Sequence, residues 1–106
     1  MPVDPSLVTD KDLTAAVQRI VAQVLMVDPA IVHPETTLYS LGAESIDYLD
    51  LIFRVEEVIH KKVPVSRWES FVRERLPGAN LAQAITVAFI AEFAEFERAG
   101  VGKDAP

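Results

Sequence analysis

The amino-acid sequence predicts an all-α fold, a four-helix bundle formed by one domain. Apolar residues recur three and four positions apart over most of the chain, which is the spacing of amphipathic helices. Pairs that contain Pro or Gly interrupt this pattern at intervals that fit helix ends. A length of 106 residues suits one core better than two. We therefore read residues 1–106 as a single domain, with frayed ends at about 1–8 and 100–106.

The first helix is predicted from about Asp10 to Met26, where apolar residues recur at helical spacing. Thr9 and Asp12 resemble a capping box at its start. A long connection should follow, because Pro29 and Pro34 each disfavour helix in the residue before them.

A third helix of about ten residues is predicted after Val63-Pro64, since Ser66 and Glu69 form an S-x-x-E capping box. Apolar residues at core-facing spacing follow this box. Pro77-Gly78 should end the helix.

The last helix is predicted over residues 81 to about 99, with Asn80 and Gln83 as a plausible cap. Gly100 and Gly102 should close it. The run Ile-Thr-Val at 85–87 is the one candidate strand, and its flanks favour helix.

Composition and charge exclude several classes of function. Half of the residues are hydrophobic and a quarter are charged, as in ordinary globular proteins. No apolar run could span a bilayer, and the N-terminus has no signal-peptide pattern, so we expect a cytoplasmic protein. The sequence has no cysteine, which excludes disulfides and thiolate metal sites. Residues 1–60 carry a net charge of −7, which disfavours nucleic acid and favours basic protein surfaces as partners.

The second helix is predicted from near Glu44 or Ser45 to about His60, and it carries three stripes when each residue is advanced by about 100°. The broad apolar stripe, which should face the core, comprises Tyr48, Leu51, Ile52, Val55, Val58 and Ile59. The polar stripe comprises Asp47, Asp50, Arg54 and Glu57. A smaller apolar stripe comprises Ile46, Leu49 and Phe53.

The smaller apolar stripe has two interpretations. It packs on another helix, as apolar stripes usually do, or it is an exposed patch rimmed by acids, of the kind that marks a docking site. In the second case the acids would steer a partner and the apolar residues would supply contact. Asp50 and Arg54 are also spaced for an i,i+4 ion pair.

Ser45 follows Gly42 at the predicted start of the second helix. A serine in such a place is most often an N-cap. The alternative is a hydroxyl to which a phosphate is joined, because free backbone N–H groups and the helix dipole favour a phosphodiester there. A catalytic serine has poor support, since His33 is predicted in a loop and His60 at the far end of the helix.

The segment Leu41-Gly42-Ala43-Glu44-Ser45-Ile46-Asp47 resembles the acyl carrier protein signature L-G-x-D-S-L-D, in which the serine carries 4'-phosphopantetheine. The apolar-acidic helix that follows is also similar to the family, as is Val63-Pro64, where the family usually has Ile-Pro. This resemblance covers about Asp10 to Phe96. It implies an acyl-carrier-protein-like four-helix bundle with a lengthened third-helix region.

By this resemblance, a phosphopantetheinyl transferase would attach a covalent 4'-phosphopantetheine arm to Ser45, and acyl groups would be held on the arm as thioesters. The chain would be a non-catalytic carrier, a monomer that presents its cargo to acyl synthases and acyltransferases with basic docking surfaces. The implied partner-docking residues are Glu44, Ile46, Asp47, Leu49, Asp50, Phe53, Glu56 and Glu57. The implied acyl pocket is lined by Leu51, Ile52, Val55, Ile59 and Val63.

Two departures point away from ordinary fatty-acid carriers. The segment between Val63-Pro64 and Thr86-Val87 is about a dozen residues longer than usual. The run Val-Pro-Val-Ser-Arg-Trp-Glu at 63–69 and the aromatic-rich last helix resemble specialised alphaproteobacterial carriers that bring very long acyl chains to lipid A. Arg54 interrupts a face that is usually more uniformly acidic. Two alternatives remain open: an aminoacyl or polyketide carrier of a secondary pathway, and an unmodified helical interaction module. The sequence does not identify the cargo.

Overall fold

A computed structural model describes residues 10–76 and 81–99 of the chain, and the all-α prediction is confirmed over these ranges. The helices are α1 (Asp10–Leu25), α2 (Ser45–Ile59), α3 (Val65–Arg75), α4 (Leu81–Ala84) and α5 (Val87–Arg98). Four of them have eleven residues or more, and α4 has four. The predictions about Thr9, Pro77-Gly78, Asn80, Gly100, Gly102 and the frayed ends lie outside the described residues.

The core lies where α1 packs against α2 and α5. Side chains with almost no solvent exposure come from all three helices, and Leu38 of the long connection joins them. Burial of such apolar side chains contributes about 1.5–3 kcal/mol each to folding. The least exposed members from the helices are Leu13, Val17, Val21, Leu51, Ile52, Val55, Val87, Ile90, Phe93 and Ala94.

Helix α3 is held against α5 by aromatic rings. The Trp68 ring lies edge-on to the Phe93 ring with centroids 5.1 Å apart. Phe71 contacts the rings of Phe89, Phe93 and Phe96 at 5.1 to 5.3 Å. Each such pair adds about 0.5–1.5 kcal/mol beyond the burial of its area. Helix α3, which lies in the segment predicted to be lengthened, is therefore packed against α5.

A buried ion pair also joins α3 to α5. The Glu97 side chain is 1% exposed, and its Oε2 accepts a hydrogen bond from Arg67 Nε at 2.7 Å. The backbone carbonyl of Glu97 accepts from Lys61 Nζ at 2.6 Å. Two cations from the start of α3 and the turn before it thus reach the C-terminal turn of α5.

The prediction of one continuous last helix over 81–99 is wrong, because the chain is extended at Ile85 and Thr86. The Ile85 carbonyl accepts from Leu38 N at 3.0 Å, and Val87 N donates to the Thr36 carbonyl at 3.0 Å. Thr86 Oγ1 then accepts from Phe89 N at 3.0 Å and caps α5. The β-branched run at 85–87 therefore forms an isolated bridge with Thr37 and supplies an N-cap.

The capping box predicted at Ser66 is also wrong. The N-cap of α3 is Pro64, two residues earlier than predicted, and it makes no side-chain cap. Pro64 fixes an extended backbone with ψ of 143°, and its carbonyl accepts from Arg67 N at 2.9 Å. Ser66 therefore lies inside the first turn.

The connection between α1 and α2 is irregular, as predicted, and contains two 3₁₀ turns at Pro29–Ile31 and Tyr39–Leu41. Gln18 Nε2 donates to the Val32 carbonyl at 2.8 Å, which fixes the connection on α1. Gly42 ends the second turn with φ of +86°, a left-handed conformation that favours glycine.

Within residues 10–76 and 81–99, no helix has both the length and the apolar character needed to cross a bilayer.

Candidate functional site

Ser45 is the first residue of α2, and its side chain is exposed. The N-cap is Glu44, so the interpretation of Ser45 as the N-cap is wrong. The Glu44 N–H donates to Asp47 Oδ2 at 2.8 Å, and Asp47 N donates to the Glu44 carbonyl at 2.9 Å. Among the described residues, none forms a hydrogen bond with the Ser45 hydroxyl. The neighbours of Ser45 close the helix terminus and leave its hydroxyl available.

The turn before α2 sets this position. Leu38 is buried in the core, and its carbonyl accepts from Leu41 N at 3.0 Å and from Ala43 N at 3.1 Å. Gly42 then lets the chain turn outward, since its positive φ is strained for residues with a side chain. The serine thus follows a turn that is anchored to the core on one side.

The smaller apolar stripe of α2 is exposed. Ile46 is 70% exposed, Leu49 is 40% exposed and Phe53 is 58% exposed. The interpretation that they pack on another helix is therefore wrong. We name these three residues the α2 patch. Large exposed side chains grouped on one face are the feature that the docking interpretation requires.

Charged residues of α2 surround the α2 patch and differ in their engagement. The predicted pair is confirmed, with Arg54 Nε 3.6 Å from Asp50 Oδ1, and Arg54 Nη1 also donates to Gln23 Oε1 of α1 at 3.3 Å. Glu57 is exposed. Glu56 is half-buried, and its Oε2 accepts from Val63 N at 2.6 Å, which fixes the turn after α2. The Glu56 carboxylate therefore already has a structural partner.

The five residues predicted to line an acyl pocket are all buried in the core. None of them is more than 4% exposed: Leu51, Ile52, Val55, Ile59 and Val63. They follow Ser45 along the inner face of α2 and continue into the turn before α3. Their role with an acyl chain remains a prediction.

Neither histidine forms a hydrogen bond with Ser45. His60 ends α2 with a left-handed backbone, about 20 Å from Ser45 at 1.5 Å of rise per residue. His33 is an exposed loop residue whose N–H donates to Thr36 Oγ1 at 3.0 Å. Across 10–76 and 81–99, no three His, Asp or Glu side chains converge as metal ligands would.

Tyr48 is a residue that the sequence interpretation missed. Its periodicity places it on the core stripe, and its side chain packs partly against the core. Its hydroxyl oxygen is buried and has no hydrogen-bond partner in the described part of the chain. Burial, and secondarily the Asp47 carboxylate, raises the pKa of the Tyr48 phenol above its ordinary value. The sequence did contain a signal for this residue, because Tyr48 carries a polar hydroxyl on the predicted core stripe and lies three positions after Ser45.

A family model described as "Phosphopantetheine attachment site" matches residues 15–68, just over half of the chain. This range holds most of α1, all of α2 and the start of α3. Among curated proteins, an acyl carrier protein AcpXL of Rhizobium etli is 34% identical over 59 residues. Proteins of the same name from Brucella melitensis and Rhizobium meliloti are each 32% identical over 59 residues.

The aligned region covers 55% of this chain and 64% of the Rhizobium etli protein. It covers 63% of the Brucella melitensis protein and 62% of the Rhizobium meliloti protein. The match thus spans less than two thirds of each relative. No solved structure gives a significant match.

Proposed function

This chain belongs to the phosphopantetheine-attachment family, and from that premise we propose that it is an acyl carrier protein whose arm is attached to Ser45. One observation carries the proposal. Ser45 is the serine of the signature, it lies in the matched range, and its hydroxyl is exposed and unengaged by the described residues. The chain would have no catalytic role of its own and would be the substrate of a phosphopantetheinyl transferase.

The residues around Ser45 fit such an arm. The first backbone N–H groups of α2 and its positive dipole end favour a phosphodiester at this place. Asp47 accepts a hydrogen bond from the Glu44 N–H through one carboxylate oxygen, which reduces the electrostatic repulsion between this carboxylate and a phosphate on Ser45. Tyr48 follows Ser45 by three positions on α2, and its buried hydroxyl, which has no partner among the described residues, suits the polar groups of an arm. When bound, 4'-phosphopantetheine supplies a terminal thiol that carries an acyl group as a thioester.

Attachment requires Ser45 as the oxygen nucleophile. Its Oγ would form a bond to a phosphorus of the coenzyme A pyrophosphate while the bond to the departing nucleotide phosphate breaks. The serine proton would pass to a base on the transferase.

The α2 patch and the acids around it support docking to enzymes with basic surfaces. Apolar contact would come from Ile46, Leu49 and Phe53, and steering would come from Asp50 and Glu57. Acyl synthases and acyltransferases are the partners that a carrier of this kind must meet. A monomer suits this shuttling role, and we place it in the cytoplasm.

A specialised lipid pathway is the setting we propose. The similarity to AcpXL proteins of rhizobia and Brucella supports it. The α3 region and the aromatic contacts of α5 are consistent with an elaborated carrier. The Asp50–Arg54 pair, held also by Gln23, gives the docking face a cation that would select a distinct set of enzymes.

Intact mass tests the attachment site. After incubation with a phosphopantetheinyl transferase and coenzyme A, we expect one added arm on the wild-type protein and none on Ser45→Ala. Ser66→Ala is the matched control, because Ser66 is an exposed serine in the first turn of another helix. If the wild-type protein stays unmodified while an ordinary carrier is loaded in the same tube, the proposal is wrong.

A further inference from the structure

The Tyr48 hydroxyl is a buried polar group without a hydrogen-bond partner among the described residues. Its oxygen is shielded from solvent, and it forms no hydrogen bond with any described residue. Buried polar side-chain atoms nearly always have a partner in native proteins, and a buried tyrosine O–H usually reaches one. An orphaned hydroxyl of this kind indicates a partner that the chain itself does not supply.

The position of Tyr48 indicates what that partner is. Residues three apart on a helix are neighbours, with Cβ atoms about 5–6 Å apart. Helical side chains also lean toward the helix N-terminus, so the Tyr48 side chain leaves the helix on the side of the turn that begins with Ser45, and it packs partly against the core. Tyr48 therefore lies beside the serine that we propose as the attachment residue.

The same residue lies at the entrance to the buried face of α2. Leu51 and Ile52 follow Tyr48 by three and four positions, and both are almost fully buried. A chain attached at Ser45 and turned toward the core would pass Tyr48 before it reached these residues. The tyrosine ring supplies apolar contact on that path, and its hydroxyl supplies the polar atom.

We propose that Tyr48 positions the arm on Ser45 by donating its phenolic O–H to a carbonyl oxygen of that arm, either an amide or the acyl thioester. This inference rests on the proposed function. Tyr48 would hold a loaded arm against the protein and would release it when a docked enzyme offers a better acceptor site. The phenol is protonated at neutral pH and can donate, and burial with the Asp47 carboxylate raises its pKa further.

The test compares Tyr48→Phe with Tyr39→Phe, the same substitution at the other, exposed tyrosine. Thermal unfolding is measured for each protein without the arm, with the arm, and with an arm carrying a fatty acyl group through a stable amide. For Tyr48→Phe we expect an unchanged or higher Tm without the arm, since an unpartnered hydroxyl is removed. We also expect acyl loading to raise its Tm less than it raises that of wild type. Tyr39→Phe should behave as wild type in all three states.

A second readout keeps the hydroxyl in place. In the Tyr39→Phe protein Tyr48 is the one remaining tyrosine, so absorbance at alkaline pH follows its ionisation alone. A hydrogen bond donated by the neutral phenol favours the neutral form, so loading with the amide-linked acyl arm should move this titration to higher pH. This measurement does not depend on the folding of Tyr48→Phe.

Three outcomes overturn the inference. The first is a lower Tm of Tyr48→Phe without the arm, which would mean that water or another group already satisfies the hydroxyl. The second is an equal gain in Tm on acyl loading for Tyr48→Phe and for wild type. The third is a tyrosine titration in Tyr39→Phe that acyl loading does not move. None of these outcomes bears on attachment, which the intact mass of the loaded protein tests separately, so the attachment proposal stands. Failure of attachment in the presence of an active transferase would instead refute the proposed function itself.

Discussion

Ser45 keeps an available hydroxyl because the residues on either side of it close the N-terminus of α2. Glu44 takes the N-cap position, and Asp47 accepts the Glu44 N–H at 2.8 Å. The sequence motif predicted which serine to consider, but local rules favoured Ser45 itself as the cap. The cap is settled by the extended backbone of Glu44, with ψ of 170°, which side-chain preference alone does not determine.

Phe53 provides a test of docking at the level of one side chain. Because Phe53 is 58% exposed, Phe53→Ala should change the free energy of unfolding by less than about 0.5 kcal/mol. The loss of apolar contact should lower kcat/KM of an acyl-handling partner enzyme by roughly fivefold or more, the size of an interface residue worth about 1 kcal/mol. Denaturant unfolding and steady-state turnover of the loaded carrier measure the two effects.

The control for this substitution is Ile31→Ala. Ile31 is 51% exposed but lies in the first 3₁₀ turn, outside the α2 patch. It should leave both stability and turnover near wild type. A Phe53→Ala protein that unfolds would show that Phe53 belongs to the core, which would remove the basis for the α2 patch.

Helix α2 illustrates what periodicity predicts and what it leaves open. The spacing of apolar residues predicted its two apolar stripes and its bounds to within one residue. The pattern also assigned the broad stripe to the core, where Leu51, Ile52 and Val55 are buried. Whether the smaller stripe would be covered as well depended on how the other helices pack, and the local pattern does not contain that information. The exposure of Ile46, Leu49 and Phe53 is therefore a tertiary fact.

The break before α5 has a similar cause. Ile85 and Val87 form backbone hydrogen bonds with Leu38 and Thr36, which lie about fifty positions earlier in the sequence. Thr86 forms an isolated bridge with Thr37, which lies equally far away. The β-branched residues at 85–87 were the local signal, but helical flanks outweighed it. A contact so distant in the sequence converts a weak strand preference into an extended segment and a new helix start.

The ion pair between α3 and α5 makes a prediction about these elements. Removing Arg67 leaves the buried Glu97 carboxylate with one fewer charged partner, so Arg67→Ala should lower the free energy of unfolding by about 1–3 kcal/mol. Arg73→Ala is the matched control on the same helix, because Arg73 is exposed and donates only to Ser70 Oγ at 3.3 Å. It should change stability by less than about 0.5 kcal/mol. Urea unfolding that gives equal values for both variants would contradict a stabilising role for the pair.

At the scale of the whole molecule, one helix bundle presents two surfaces with different chemistry. Its outer α2 face combines the α2 patch with acids, and the inner α2 face ends in a core that α1 and α5 complete. The proposed attachment residue lies where these faces meet. The proposed carrier would use such an arrangement, because enzymes would approach the outer face and an acyl chain would enter from the inner face.

The length of cargo that the core accepts gives the last prediction. If Leu51, Ile52 and Val55 line the path of an acyl chain, each buried methylene should stabilise the loaded protein by up to about 0.8 kcal/mol. Tm should then rise with the number of carbons and level off at the length that fills the available space. An amide-linked series of increasing chain length, measured by thermal unfolding, gives that limit.

An oligo-ether chain of matched length, attached in the same way, separates burial from tethering. It has the reach of an acyl chain but loses hydrogen bonds to water when it is buried, so it should give little increase in Tm. Equal increases for the two chains would show that attachment alone stabilises the fold. An acyl series with no dependence on length would show that the chain stays outside the core, and the five buried residues would then be packing residues only. A limit beyond the chain lengths of ordinary fatty acids would connect the lengthened α3 region to the handling of longer cargo.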